Sequence, residues 1–145
     1  QQVTSELAYE RSGPESVLSS FRVFVALVRI CGDAPSPHQA AAIGRIAAHF
    51  MTLRRMSLSV AGMLEAGKDV SVEAALVKEL GNNFEKLLPE IARLVVPDLS
   101  AVDPDKQRLF RETFEETLML SPSFTLRGGT REIMRGVIAR GLGLR

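Results

Sequence analysis

Residues 103–118 read Asp103-Pro104-Asp105-Lys106-Gln107-Arg108-Leu109-Phe110-Arg111-Glu112-Thr113-Phe114-Glu115-Glu116-Thr117-Leu118. An Asp followed by Pro is a helix start: the carboxylate caps free N–H groups, and Pro sits where its missing donor is harmless. Phe110, Phe114 and Leu118 then recur at i, i+4 and i+8, with Leu109, Thr113 and Thr117 alongside. That spacing gathers apolar side chains on one helical face. Arg108–Glu112 and Arg111–Glu115 are i,i+4 pairs of the kind that mark a solvated face. No stretch of the chain alternates with period two, so the class is all-α.

The same punctuation repeats on either side. Ser36-Pro37-His38-Gln39 and Ser12-Gly13-Pro14-Glu15 carry the capping-box pattern, in which a hydroxyl and a side chain three residues later satisfy each other's backbone donors. Stops lie at Cys31-Gly32-Asp33, Ala66-Gly67-Lys68, Val96-Pro97-Asp98 and Ser121-Pro122. Helices are therefore expected near 15–31, 37–66, 72–96, 104–120 and 130–141, with a further helical piece over 2–11. In the second, Ala40, Ile43, Ala47, Phe50, Leu53 and Leu64 fall near helical spacing. Pro89 lies inside the third and is expected to kink or split it. Long helices on short connectors favour an antiparallel bundle, and residues 1–145 read as one domain.

The chain has 145 residues, 18 Lys and Arg against 17 Asp and Glu, and 46% hydrophobic residues. That is enough apolar material for a core, and it argues against disorder. Near-neutral charge argues against a generally basic nucleic-acid binder. One cysteine, Cys31, rules out an internal disulfide framework and reads as a small core residue. It also fits a reducing, cytoplasmic setting. Apolar runs such as Val23 to Val28 are far short of a membrane helix. The start Gln1-Gln2-Val3, without Met, reads as a cut end.

His38 and His49 are about three helical turns apart and do not form one metal site; they read as a helix-start polar residue and a half-buried histidine. The last residues differ from the rest. From Arg127 to Arg145 there are five Arg and one acid, and Gly128-Gly129-Thr130 stands where a helix begins. Close backbone approach at glycine, together with open N–H groups, makes such a place a candidate phosphate seat and equally an ordinary loop with an N-cap.

Three stretches, in order, carry a resemblance. Leu7-Ala8-Tyr9-Glu10-Arg11 resembles the L-x-x-E-R opening of the first carboxy-terminal helix of the acyl-CoA dehydrogenase family. The run from Lys78 to Glu85, followed by Leu88-Pro89-Glu90-Ile91, is similar to its third. Arg127 to Arg145 looks like its closing signature, with G-T-x-E-I opening the last helix. The resemblance implies the family's carboxy-terminal domain, an antiparallel four-helix bundle with an extra short C-terminal helix. The family's amino-terminal helical domain and middle β domain are not in this chain.

The resemblance further implies a FAD-dependent oxidoreductase of fatty-acid type that removes the α-proton of an acyl-CoA with a Glu base while the β-hydrogen leaves as hydride. The family's commoner base position, just before G-T, is Gly128 here. The alternative, in L-x-x-E-R, is Glu10, which is taken as the catalytic residue. Gly129, Thr130 and Glu132 fall on the cofactor-binding positions; Arg127 and Arg131 stand nearby as charge partners that the motif itself does not specify. Two family stretches are replaced: R-x-Q-F-G by residues 32–37, and Q-x-x-G-G by residues 99–103. Implied partners are acyl-CoA, an electron-transfer acceptor, and further copies in a dimer or tetramer, or a related subunit in a hetero-oligomer; neither nucleic acid nor a membrane span is implied. The chain alone is expected to be inactive and to hold no FAD. The rival is a non-catalytic divergent subunit or helical oligomerisation module.

Overall fold

The computed structural model describes residues 2–144; the terminal Gln1 and Arg145, on which the cut end and the last Arg of the basic segment were read, lie outside them. The chain forms α1 (Gln2–Ser12), α2 (Glu15–Cys31), α3 (Pro37–Glu65), α4 (Ser71–Val95), α5 (Pro104–Phe124) and α6 (Arg131–Gly141), with a 3-10 turn at Leu99–Ala101. Among the described residues there is no strand, and no helix is long and apolar enough to cross a membrane.

Local chemistry sets most of the boundaries. Ser36 and Gln39 complete a capping box: the Gln39 N–H donates to Ser36 Oγ at 3.3 Å, and the Ser36 N–H to Gln39 Oε1 at 2.9 Å. Asp103 Oδ1 accepts from the Asp105 and Lys106 N–H groups, each at 3.1 Å. The box expected at Ser12–Glu15 does not form. Ser12 belongs to α1, where its hydroxyl donates to the Ala8 carbonyl at 2.8 Å, and α2 starts behind Pro14 without a side-chain cap. The piece over 2–11 is thus a separate helix.

Packing is organised around α4, which touches each of the five other helices. The main core joins Val23, Leu27 and Ile30 of α2, Ile46, Phe50 and Leu53 of α3, Phe84, Leu88 and Ala92 of α4, and Phe110 of α5. A smaller one joins Ala8 of α1, Val60 of α3, and Val70, Ala74 and Val77 around the start of α4. Helices α3 and α4 run antiparallel: Met63 lies near Glu73, His49 near Phe84, and His38 near Val95.

Several expectations change. The buried stripe of α3 is Ile46, Phe50, Leu53 and Val60, while Ala40 is exposed. On α5 the buried side runs through Phe110, Thr113, Thr117, Ser121 and Phe124, leaving Phe114 half-buried and Leu118 exposed. The threonine hydroxyls make this workable by donating to the carbonyls of Leu109 and Thr113, four residues back. Arg108 pairs with Asp105 at 3.0 Å instead of with Glu112.

Neither internal proline breaks its helix. Helix α4 is continuous through buried Pro89, whose neighbours Leu88 and Ala92 are enclosed with it. Helix α5 passes Pro122 and ends at Phe124. Pro122 cannot donate to the Leu118 carbonyl, but the Ser121 hydroxyl does so at 3.1 Å.

Candidate functional site

The end of α1 and the segment after α5 meet above α4. Glu10 and Arg11 hold Gly128 from both sides of its backbone. The Gly128 N–H donates to Glu10 Oε1 at 3.1 Å, and Arg11 Nε donates to the Gly128 carbonyl at 3.0 Å. Glu10 and Gly128 are 118 positions apart in the chain. Gly128 has φ 67° and Gly129 φ 111°, conformations that favour glycine. A β-carbon on Gly128 would also lie 3.3 Å from Arg11 Cγ. A glutamate at 128 therefore does not suit this loop, and the carboxylate that reaches it is the exposed Glu10.

Below the loop, Lys78, Asn82 and Glu85 share one buried face of α4. Lys78 lies against Gly128, and its Nζ donates to the Phe124 carbonyl at 3.4 Å. Arg127 reaches inward: its Nη2 donates to Glu85 Oε1 at 3.0 Å and to Ser19 Oγ at 3.2 Å, with its guanidinium 4.7 Å from the Phe124 ring centre. Among the described residues, Glu85 Oε2, Arg127 Nε, both Asn82 amide atoms and Ser20 Oγ find no hydrogen-bond partner.

Burial dominates the electrostatics. It pushes the Glu85 carboxyl up to about 7, against the opposing pull of Arg127 and Lys78. Burial likewise pushes Lys78 down, with Glu85 opposing and Arg127 adding to the effect. Such a carboxyl exchanges its proton near neutral pH, but it is enclosed by α2, α4 and Arg127. Its direct effect is to hold the glycine segment against α4.

The remaining sequence-selected residues gather at the start of α6. Thr130 is the N-cap, yet its hydroxyl does not cap a backbone N–H. Glu132 is held below the usual carboxylate range by its own backbone N–H, then by the Thr130 hydroxyl. The chain's own acid thus already answers part of this helix start. Arg131 and Arg135 turn to α4, where Glu79 Oε1 accepts from Arg131 Nη2 and Arg135 Nε, each at 3.0 Å. Partial burial works against the Glu79 charge, but the two arginines outweigh it and its pKa is lowered. Three of the five Arg in the basic segment are therefore paired with α4 carboxylates.

The structure thus brings Glu10, Gly128 and Arg127 together and sets Gly129, Thr130 and Glu132 beside them in the chain. Sequence reasoning assigned no site role to Lys78 or Glu85. A signal was present: 74, 78, 81, 85, 88 and 92 form one helical stripe, and 78 and 85 are its charged positions among Ala74, Gly81, Leu88 and Ala92. His49 is exposed, not half-buried, and stacks on Phe84 with ring centres 5.1 Å apart. Cys31 is half-buried against the main core, and burial raises its thiol pKa.

No family model, curated protein or solved structure matches the chain.

Proposed function

We propose that this chain is the carboxy-terminal helical domain of a FAD-dependent acyl-CoA dehydrogenase, with α1 and α2 together as the first helix of the four-helix bundle, α3 to α5 as the other three, α6 as the extra short helix and Glu10 as the base. The observation that carries this reading is the Glu10–Gly128 contact at 3.1 Å. The family draws its base from either of two places, and the residues at those two places here, far apart in sequence, touch. Where one offers a left-handed glycine, the other delivers a carboxylate.

In this reading Glu10 accepts the α-proton of the acyl-CoA thioester. The Gly128 N–H orients its Oε1, and Arg11, which donates to the carbonyl of the same residue, holds that glycine in place. Bound FAD supplies the acceptor for the β-hydrogen as hydride. The fit of this chain to the cofactor is partial. Arg127 and Arg131 are engaged by Glu85 and Glu79, so its contribution comes from the Gly129 and Thr130 backbone and from Glu132 as an acceptor.

The test uses the reading frame upstream of Gln1, which is expected to encode the amino-terminal and β domains. In that longer protein, acyl-CoA added without oxygen should bleach the flavin. Glu10→Gln should keep FAD bound and slow bleaching by about a hundredfold or more, the usual worth of a general base. Unchanged bleaching removes Glu10 from the role. An upstream frame without those domains overturns the reading and favours the non-catalytic helical module, which Gly128 and the replaced R-x-Q-F-G stretch also suit.

A further inference from the structure

Residues 125–130 cross from α5 to α6 between two fixed ends. At one, Phe124 is buried and its carbonyl accepts from Lys78 Nζ at 3.4 Å. At the other, Met134 is buried and Arg131 pairs with Glu79 at 3.0 Å. Between them, Arg127 is the side chain that bonds to the interior, through Glu85 and Ser19. The peptide joining Arg127 to Gly128 carries the N–H that Glu10 accepts, so one displacement of this peptide moves both contacts.

The carboxyl under Arg127 is poorly provided for as an ion. The Glu85 side chain is 0% exposed, Oε1 accepts from Arg127, and Oε2 has no donor among the described residues. Arg127 and Lys78 are the charges that act on it, with the Ser19 hydroxyl from α2. Glu10 of α1 and Glu15 of α2 act in turn on Lys78. Helix α5 contributes buried hydroxyls of Thr113, Thr117 and Ser121 and no buried charge. An ion with a bare oxygen gains much by returning to water, and a protonated carboxyl gains far less. Arg127, 38% exposed, is the part of the enclosure that reaches solvent, and Gly128 and Gly129 behind it turn without a side-chain penalty.

We propose that residues 125–130 are a latch closed by the proton on Glu85. Protonated, Glu85 keeps Arg127 in and the Gly128 N–H on Glu10. Ionised, it favours a state in which Arg127 turns out, water reaches the carboxylate and Glu10 is released. The closed state binds the proton up to about 7, because burial outweighs Arg127 and Lys78; the hydrated open state binds it up to about the ordinary 4.5. The open state therefore gains about tenfold per pH unit across that window, about 300-fold in all, and levels off above it. As a control on the base, the latch rests on the role proposed for Glu10; as a control on the contact, it does not.

Hydrogen exchange at the Gly128 amide, read by NMR on the isotope-labelled chain, tests this. Glu85→Gln cannot ionise yet still accepts from Arg127. Dividing by its rate cancels the intrinsic pH dependence of exchange and the titrations of Glu10 and Lys78. The ratio of wild-type to variant rate should rise about 300-fold from about pH 4.5 to about 7 and then stay level. Arg127→Gln, which removes the bolt, should exchange fast at every pH. In dilute urea the Gly128 rate should hardly change, because a local opening exposes little surface, while that of buried Leu88 climbs. A level or falling ratio overturns the latch, as does slow exchange in Arg127→Gln. So does a Gly128 rate that climbs with urea as steeply as that of Leu88, which marks global unfolding. The measurement reads the contact alone, so Glu10 can fail as a base with the latch intact, and the reverse.

Discussion

At the scale of single residues, Glu85 is the most consequential side chain that the reading of the sequence left without a role. A carboxyl at about 7 in the folded chain and 4.5 unfolded means that the folded state binds more protons between those values. Its contribution to stability is therefore greatest below about 4.5 and is lost as pH rises to about 7. Urea unfolding of the wild type should show that decline, and Glu85→Gln, which still accepts from Arg127, should flatten it. Relative to the wild type, the variant should gain about 3 kcal/mol between the two ends of the window. Parallel curves for the two proteins would place the proton elsewhere.

Glu10 and Gly128 show the complementary case. Each was legible as a position in a motif, but not as half of a contact. Loop geometry explains why the motif holds glycine: φ 67° and the nearness of Arg11 leave no comfortable place for a side chain. What could not be read was that Lys78 and Glu85 lie under the loop, because their spacing also fits a solvated helix edge. Packing instead buried both, with Arg127 paired to Glu85 and Lys78 bonded to the Phe124 carbonyl.

At the scale of elements, helix starts were more legible than helix ends. The starts of α3 and α5 follow from bonds made within one turn, between Ser36 and Gln39 and from Asp103 to the next N–H groups. Ser36→Ala should accordingly cost about 1 kcal/mol of stability, read as an earlier denaturant midpoint with an unchanged slope. Ends depend more on surroundings. Ser121-Pro122 reads as a stop, yet hydroxyls of Ser121, Ser123 and Thr125 bond carbonyls of the last turns, and buried Phe124 anchors the extension. Ser12 illustrates the reverse, a capping-box residue drawn into the preceding helix by the Ala8 carbonyl, while the Ser57 hydroxyl of α3 donates to the Ser12 carbonyl.

At the scale of the whole molecule, α4 is the hub, and the α3–α4 surface beside it remains open. Leu88→Ala, in the core where α4 meets α2, α3 and α5, should therefore cost about 2–5 kcal/mol of stability, read as an earlier urea midpoint.

The sequence by itself determined the helical class, the breaks at Gly32 and Gly67, and the caps at Ser36 and Asp103. These depend on residues within a turn of one another, where short-range hydrogen bonding and backbone sterics dominate. Only the tertiary structure decided that α4 is central, that Glu10 reaches Gly128 across the length of the chain, that Arg127 answers Glu85, and which apolar stripe stays uncovered. Periodicity states that a helix has a face; which other faces meet it, and hence which charges lose water, is settled by packing.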